Sequence, residues 1–309
     1  MTIPQTFIGI DISKAFLDIF DDGTGQLARL ANADDAIAAF LAAIAPGATI
    51  VFEATGSYDR KLRLALDNAG IKYVRVNPNR ARDFAKAAGY LAKTDTVDAR
   101  MLAAFGRAIA LKPADPIDPV RERLANLNAR RDQLVEYRAD EKKRGQQTHA
   151  DELREGFKRH IAWLDAEIRA LSTTITELIA ASPGLQDDRN VLESAPGVGP
   201  VTAFTLMALM PELGHRSAKT IAALAGLAPL NNDSGERRGK RSIKGGRSRV
   251  RRALYMAALS AIRKVPRFAE AYKAIAARSG SKKIAIIAIA RKLLVALNAM
   301  LRTKQPFRI

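Results

Sequence analysis

The chain has 309 residues, of which 48% are hydrophobic and 27% charged, a balance typical of a globular protein with room for more than one domain. It contains no cysteine and only three histidines, which excludes disulfide bonds and thiolate metal sites and argues against a multi-histidine zinc centre. Any metal is therefore expected to be a hard cation held by oxygen ligands, such as magnesium, manganese or calcium.

The net charge of +18 is concentrated towards one end of the chain. Residues 184–309 contain 24 Lys or Arg and 7 Asp or Glu, whereas residues 1–183 contain 26 and 25. This asymmetry indicates a polyanionic partner, most simply a nucleic acid. No signal peptide is predicted, and the most apolar late segment, 284–301, is judged too short and too charged at Arg291 and Lys292 to span a membrane, so a cytoplasmic location is expected.

Strand and helix signals alternate in the first 110 residues. Two β-rich runs and QLARLAN predict an antiparallel meander, after which apolar strands alternate with helices that end at Gly or Pro. The predicted order β-β-β-α-β-α-β-α implies a mixed sheet with helices on its faces, as in a ribonuclease-H-like fold. The predicted strands cover 7–12, 16–20, 26–32, 49–55 and 73–77, and the first two helices cover 34–45 and 60–69.

The remainder of the chain is predicted to be helical. Residues 112–119 contain three prolines and indicate a linker, and large aliphatic residues then follow a 3,4 spacing typical of a coiled coil. The polar stretch 145–151 is either the turn of a helical hairpin or a weak patch in one long helix, and the helices form either an intramolecular pair or a dimerisation arm. The predicted division is 1–112 (α/β), 113–183 (linker and coiled coil) and 184–309 (all-α).

Two carboxylates end apolar strands. Asp11 follows FIGI in the first strand, and Glu53 follows VF in the fourth. Burying a charge in such a strand costs free energy unless the end of the strand opens into a binding or catalytic site. The predicted order places these two strands side by side, and a divalent cation is the usual reason for tolerating like charges so close together.

A second pair of carboxylates, Asp95 and Asp98, lies three residues apart at a predicted helix start, in KTDTVDARML. On their own they are explained by N-capping and the helix macrodipole. Together with Asp11 and Glu53 they form a set suited to two magnesium ions about 4 Å apart. A further acid, Asp18, is expected to face solvent from the second strand.

The turn ESAPGVGPVTA places Gly197 and Gly199 on either side of Val198, with Pro200 starting a helix. It resembles a helix-hairpin-helix element, whose backbone amides and following helix N-terminus bind a DNA phosphate. An ordinary turn between two helices is an equally good explanation.

A basic cluster follows, in which nine Lys or Arg occur within 16 residues and no acid intervenes. Glycines are expected to leave this loop free to fit a nucleic-acid backbone, and the cations are predicted to contact phosphates. Ser234 precedes the cluster; as a turn residue it is unremarkable, but beside a scissile phosphate it could act as a nucleophile. The predicted contacts are Gly235, Arg237, Arg238, Lys240, Arg241, Lys244, Arg247, Arg249, Arg251 and Arg252.

These motifs, in this order, resemble those of DEDD transposases of insertion sequences, a group that includes the pilin-gene inverting recombinases. GIDISK, FEATGSY, KTDTVDARML, PGVGPVTA and the segment from AGLAPLNNDSG to RRALYM carry the resemblance over nearly the whole chain. It implies a RuvC-like N-terminal domain with Asp11, Glu53, Asp95 and Asp98 as magnesium ligands, manganese being a possible substitute. It also implies a coiled coil that mediates subunit contacts.

The resemblance further implies a C-terminal transposase domain in which Ser234, followed by Gly235, becomes covalently linked to DNA. Donor and target DNA, a structured non-coding bridge RNA, and a dimer or tetramer in a prokaryotic cytoplasm, associated with the nucleoid, are the implied partners and setting. No histidine lies near Ser234 in sequence, so no local general base is identified. Metal held by the acids would activate this serine only if the metal and the serine reach the same phosphate.

Two alternatives remain open. A RuvC-like nuclease that hydrolyses DNA junctions with water explains the acids and the basic cluster but leaves Ser234 without a task. A non-catalytic nucleic-acid-binding protein treats the acids as structural, and predicts that magnesium has no effect on function.

Overall fold

A computed structural model describes residues 6–54, 56–90, 95–230 and 241–308. The chain divides into two compact units, unit 1 (Met1–Asp118) and unit 2 (Pro119–Ile309). The three-part division expected from sequence remains a proposal about domain organisation.

Unit 1 is built on a five-stranded mixed sheet with the order β3-β2-β1-β4-β5. β1 pairs with β2 in antiparallel and with β4 in parallel orientation, which confirms that the first and fourth strands are neighbours. One face packs an aliphatic core around Ile10, Ile50 and Phe52, and the other packs Val51 and Val74 against helices. The strands are β1 (Phe7–Ile12), β2 (Phe16–Asp21), β3 (Leu27–Ala31), β4 (Thr49–Glu53) and β5 (Tyr73–Val76).

Four helices cover this sheet: α1 (Asp34–Ala43), α2 (Arg60–Asn68), α3 (Pro78–Ala87) and α4 (Asp95–Ala108). The order predicted from sequence lacks α3, because Pro78 predicts only the end of the preceding strand. Pro78 is instead the first residue of the helix, where its missing N–H costs nothing. The Asn77 side chain accepts a hydrogen bond from the Asn79 amide at 2.9 Å and caps the same turn.

Helix α4 lies directly on the sheet because small residues meet at the contact. A Cβ placed on Gly9 of β1 would overlap the carbonyl oxygen of Ala99 and lie 2.5 Å from the amide nitrogen of Ala103. On the helix side, a Cβ on Gly106 would lie 2.7 Å from a methyl group of Val51. The close approach fixes the position of the first turn of α4 above the end of β1.

The proline-rich segment before residue 119 is held against the sheet of unit 1. The Ala114 amide donates to the Tyr73 carbonyl at 2.8 Å, and the Ile117 amide donates to the Asp67 carboxylate at 2.9 Å. The segment predicted as a linker is therefore an ordered part of unit 1 up to Asp118.

Unit 2 begins with two long helices, α5 (Pro119–Gln147) and α6 (Asp151–Ala180). The chain turns between them at residues 148–150, so the polar stretch is the turn of a helical hairpin and not a weak patch in one helix. Leu134, Leu164 and Ile168 are buried between the two helices. The intramolecular pairing is thus observed, and a role in dimerisation remains a separate proposal.

The rest of unit 2 is helical, as predicted, and shares one large aliphatic core. A two-stranded hairpin that the sequence analysis missed, β6 (Pro229–Leu230) and β7 (Ser242–Ile243), flanks residues 231–240. Its strands are too short to give a periodic signal. The helices are α7 (Pro183–Glu193), α8 (Pro200–Leu209), α9 (Ala218–Leu224), α10 (Ser248–Lys264), α11 (Pro266–Ser279) and α12 (Lys282–Thr303).

Helix α12 has 22 residues, so the expectation that its segment is too short to span a membrane is wrong. Among the described residues it is the one helix that is long and apolar enough for such a span. Ile289, Leu293 and Leu297 are nevertheless fully buried in the core of unit 2. Burial among the other helices accounts for the apolar composition of α12.

The contact between β1 and α4 gives a stability prediction. Gly9→Ala is expected to destabilise the protein by about 1–3 kcal/mol, because the new methyl group meets helix backbone that cannot move alone. Gly156→Ala is the control: a Cβ there meets nothing within 4 Å, and it is expected to stabilise α6 by up to about 1 kcal/mol. Urea unfolding followed by circular dichroism measures both, and equal stability of Gly9→Ala and wild type would refute the close packing.

Candidate functional site

A row of paired residues crosses the sheet of unit 1 on the face covered by α4. Arg29 of β3 pairs with Asp18 of β2, and Asp18 pairs with Asp11 of β1. The last parallel pair between β1 and β4 is Ile10 with Phe52, so the next position along brings Asp11 beside Glu53. Because paired residues point to the same face, three carboxylates and one guanidinium share this row.

The first turn of α4 brings two more carboxylates to the same place. Asp98 immediately precedes Ala99 on α4, and Ala99 packs on Gly9. Gly9 lies two residues before Asp11 on the same face of β1. Partial burial and the negative charges of Asp98, Asp95 and Asp18 raise the pKa of Asp11 to about 6, although the Ile12 amide donates to this carboxylate at 3.0 Å. The structure therefore brings Asp11, Asp95 and Asp98 into electrostatic contact.

Arg29 neutralises part of this negative charge. Its guanidinium donates to both oxygens of Asp18, at 2.8 and 2.9 Å, and to Asp95 at 2.7 Å. Asp18 is only 8% exposed, so the expectation that it faces solvent is wrong. The sequence signal was available: Asp18 in FLDIF, like Asp11 in FIGIDI, is a lone carboxylate inside an apolar strand.

The carboxylates are not arranged as a closed metal site. Within the part of the chain that the structure describes, no group of three or more Asp, Glu or His side chains has the spacing needed to hold an ion. The donor chemistry nevertheless fits a hard divalent cation, because every candidate ligand is a carboxylate oxygen. Glu53 lies half-buried at the end of β4, on the same face as Asp11.

The PGVGP turn in unit 2 joins α7 to α8, which is the connectivity of a helix-hairpin-helix element. Gly197 has a φ of +89°, and a Cβ there would overlap the Ala257 carbonyl oxygen of α10. Gly199 is the N-cap of α8 and has open space around its Cα. Packing against α10 therefore explains Gly197, while phosphate binding by either glycine remains a prediction.

The arginines of the basic cluster that lie nearest α10 have partners within unit 2. Arg247 forms two hydrogen bonds of 2.6 Å with Glu212, and Arg249 and Arg252 pair with Asp132 and Glu136 of α5. The Arg251 guanidinium donates to the Gly245 carbonyl at 2.7 Å. These four arginines therefore have partners within unit 2, and phosphate contact by any of them stays a prediction.

Gly245 and Gly246 are constrained, contrary to the expectation that they leave the loop free, whereas Gly239 lies outside the described residues. Gly245 and Gly246 both have positive φ, and a Cβ on Gly246 would overlap the backbone of Gly226. The Arg247 amide also donates to the Leu224 carbonyl at 2.8 Å. The chain entering α10 is thus held against the end of α9.

Two predicted phosphate contacts, Arg241 and Lys244, are exposed and have no hydrogen bond or ion pair with other described residues. The others lie outside the described residues. These are the candidate nucleophile Ser234 with Gly235, Arg237, Arg238 and Lys240.

Comparison with known proteins connects both units to DNA rearrangement. A transposase family model of the IS110 DEDD type matches residues 8–150, and the model described as transposase IS116/IS110/IS902 family matches residues 189–273. The chain is 30% identical to the pilin gene-inverting proteins of Moraxella bovis and Moraxella lacunata, over 98% of this chain and of each relative. It is 35% identical to an uncharacterized protein of insertion element IS116 from Streptomyces clavuligerus, over 39% of this chain and 31% of that protein.

The raised pKa of Asp11 gives a prediction with a definite sign. Its pKa lies above the ordinary value of 3.8, so the folded state binds more protons between about pH 4 and 6, and stability falls as the pH rises through that window. Without divalent metal, Asp11→Asn is expected to stabilise the protein by about 1–2 kcal/mol at pH 7.5, after allowance for solvent screening, and to have little effect at pH 4. Thermal melts at both pH values measure this.

The matched control is Asp115→Asn, an exposed aspartate of unit 1, which is expected to change stability at neither pH. A pH-independent effect of Asp11→Asn would show that Asp11 is not electrostatically crowded.

Some cations of the basic cluster have an acidic partner and others have none among the described residues, and the two kinds are expected to respond differently to substitution. Partial burial favours protonated Glu212, but Arg247 more than offsets this and holds the pKa of Glu212 below its usual value. Arg247→Ala is expected to cost about 1–3 kcal/mol of stability and to leave the salt dependence of DNA binding unchanged. Lys244→Ala is expected to leave stability unchanged and to reduce the slope of log K against log salt by about 0.9 on duplex DNA.

Urea unfolding and fluorescence anisotropy with one duplex at several salt concentrations separate the two effects. A lower salt slope in Arg247→Ala would mean that Arg247 exchanges Glu212 for a DNA phosphate.

Proposed function

Because the chain belongs to the IS110 family of DEDD transposases and is therefore a DNA recombinase, we propose how it performs strand transfer. It cuts and rejoins DNA through a phosphoserine intermediate, with magnesium bound in unit 1. The nucleophile is Ser234, and the metal ligands are Asp11, Glu53, Asp95 and Asp98. The observation that carries the proposal is the electrostatic crowding of Asp11 by the carboxylates of α4 and β2.

The acid cluster supports the metal part of the proposal. The carboxylates of Asp11, Asp18, Asp95 and Asp98 lie close enough to repel one another, and the Arg29 guanidinium forms ion pairs with Asp18 and Asp95. Arg29 is an internal counter-ion of the cluster, and its guanidinium occupies one of the two Asp95 carboxylate oxygens. A divalent cation such as magnesium, or manganese in its place, supplies Lewis-acid polarisation of the phosphodiester.

Ser234 would carry the covalent step. Its Oγ gives up its proton and forms a bond to phosphorus while the bond from phosphorus to one deoxyribose oxygen breaks, and that oxygen takes up a proton and leaves as a hydroxyl. In rejoining, a deoxyribose hydroxyl attacks the phosphoserine and the serine hydroxyl is released. Each step exchanges one phosphodiester for another, so no external energy source is needed. The exposed cations Arg241 and Lys244 would hold phosphates next to this serine.

Guidance and assembly are proposed from the family resemblance. A structured bridge RNA would pair with donor and target DNA. The excess of Lys and Arg over Asp and Glu in residues 184–309 would allow phosphate contacts with a second nucleic acid. A homo-oligomer, either a dimer or a tetramer, would bring two DNA strands together, with the α5–α6 hairpin as the candidate contact.

Trapping the intermediate tests the proposal. Wild-type protein, incubated with magnesium, DNA containing the element ends, and RNA transcribed from the element's non-coding region, is expected to form an adduct that survives denaturing detergent. Mass spectrometry is expected to place the nucleotide on Ser234. Ser234→Ala and Asp11→Asn are expected to lose the adduct by at least 100-fold, because one removes the nucleophile and the other a ligand.

Two controls separate the parts of this proposal. Ser248→Ala, an exposed serine at the start of α10, is expected to keep the adduct. Calorimetric titration with manganese is expected to give unchanged affinity for Ser234→Ala and at least 10-fold weaker affinity for Asp11→Asn. Strand cleavage by Ser234→Ala without an adduct would instead favour the water-dependent nuclease.

A further inference from the structure

A groove in unit 2 lies between helix α12 and the β6–β7 hairpin. Its volume is about 420 Å³, and apolar side chains of Leu227, Ile243, Ile284 and Ile287 form its floor. Ile284 is 54% exposed, which is unusual for a large aliphatic residue on a surface this highly charged. The groove belongs to unit 2, and its lining does not include the glycine turn between α7 and α8.

The described rim residues that carry a charge are all cationic. These are Arg241, Lys283 and Arg291, and no described Asp or Glu lines the groove. Unlike Arg247, Arg249 and the other paired cations, these three form no ion pair with another described residue. The first turn of α12 also contains no acid, so its positive dipole end adds to the field at this rim.

This combination defines the chemistry of the occupant. An apolar floor under a rim whose described charges are all cationic suits a flat apolar body that carries a phosphate, which is the composition of a nucleotide. The volume is in the range of small-ligand sites, about 300–1,000 Å³, and is too small for a duplex. A base reaches such a floor only when it has left the stack, where apolar side chains can cover its faces.

We propose that the α12 groove holds one unpaired nucleotide of the DNA strand that is being recombined. The base lies on Ile284 and Ile287, and the flanking phosphates contact Lys283, Arg291 and Arg241. DNA is the occupant because it is the substrate of the family to which the chain belongs. Recombination also requires strands to leave one duplex before they join another, which supplies unpaired nucleotides.

The position of the groove along the chain gives this nucleotide a place in the reaction. Pro229, Arg241 and Ser242, on either side of residues 231–240, belong to its wall. On the proposed function, in which Ser234 attacks phosphorus, we expect the bound nucleotide to belong to the strand that carries the scissile phosphate. Only this placement rests on the proposed role of Ser234; the binding itself does not.

Two double substitutions on helix α12 test the proposal. Lys283→Ala with Arg291→Ala removes two rim cations, whereas Lys282→Ala with Lys292→Ala removes two neighbouring exposed cations of α12 that do not line the groove. Each pair is made in full-length Ser234→Ala, so that covalent chemistry does not contribute. The probe is a DNA duplex with one unpaired 2-aminopurine nucleotide, compared with the same duplex fully paired.

The Ser234→Ala protein without further substitutions is expected to bind the unpaired probe at least 10-fold more tightly than the paired duplex. Binding is expected to change the 2-aminopurine fluorescence. The groove pair is expected to lose this preference, whereas the control pair keeps it. Ile284→Ser is expected to abolish the fluorescence change, because the base loses its apolar contact. Lys283→Arg with Arg291→Lys, which conserves the charge, is expected to retain the preference and shows that any loss is not a folding defect.

Three results would overturn the proposal. Equal losses in the groove and control pairs would reduce the effect to general electrostatics. A groove-dependent preference for RNA of the same sequence over DNA would assign the groove to RNA. A change in sedimentation coefficient for Ile284→Ser without DNA would identify the groove as a contact between copies of this chain. If the protein with Ser234 intact forms no adduct but still binds the unpaired probe in the groove, the serine chemistry is rejected and the groove proposal is retained.

Discussion

The contact between helix α4 and strand β1 is the constraint on which the acid cluster depends. Gly9 allows the backbone of α4 to approach the sheet so closely that Ala99 and Ala103 lie against it without intervening side chains. The rest of the cluster follows from this approach. Asp11 is two residues further along the same face of β1, and Asp98 precedes Ala99 on the helix. A bulkier residue at position 9 would lift the helix and separate carboxylates that now influence each other's ionisation.

Within the acid cluster, Asp11 is electrostatically crowded by neighbouring carboxylates. Arg29 joins Asp18 to Asp95, but Asp11 remains half-buried among like charges with a pKa near 6. Folding therefore costs energy at this place. Sites that bind or react with charged ligands commonly have this property, because the unfavourable charge is relieved when the ligand arrives. The stabilising aliphatic cores on both faces of the sheet offset the cost.

In unit 2, the large positive charge has two different uses. Several arginines are bound to acids of α5 or to Glu212 and serve to hold α10 in place. Others, including those around the α12 groove, are not neutralised by described residues and are available to a polyanion. A count of charges along the sequence does not distinguish these uses. The net charge indicates a polyanionic partner, and the pairing pattern indicates which cations are available to contact it.

The sequence by itself determined the order of strands in unit 1, the helical character of unit 2, and the family to which the chain belongs. These follow from local periodicity and from residue types that carry chemistry, such as lone carboxylates in apolar strands. Only the tertiary structure showed that α5 and α6 form a hairpin, that Asp18 is buried against Arg29, and that Arg247 is paired with Glu212. Those contacts join residues far apart in the chain, and no local pattern encodes which distant acid a given arginine will meet.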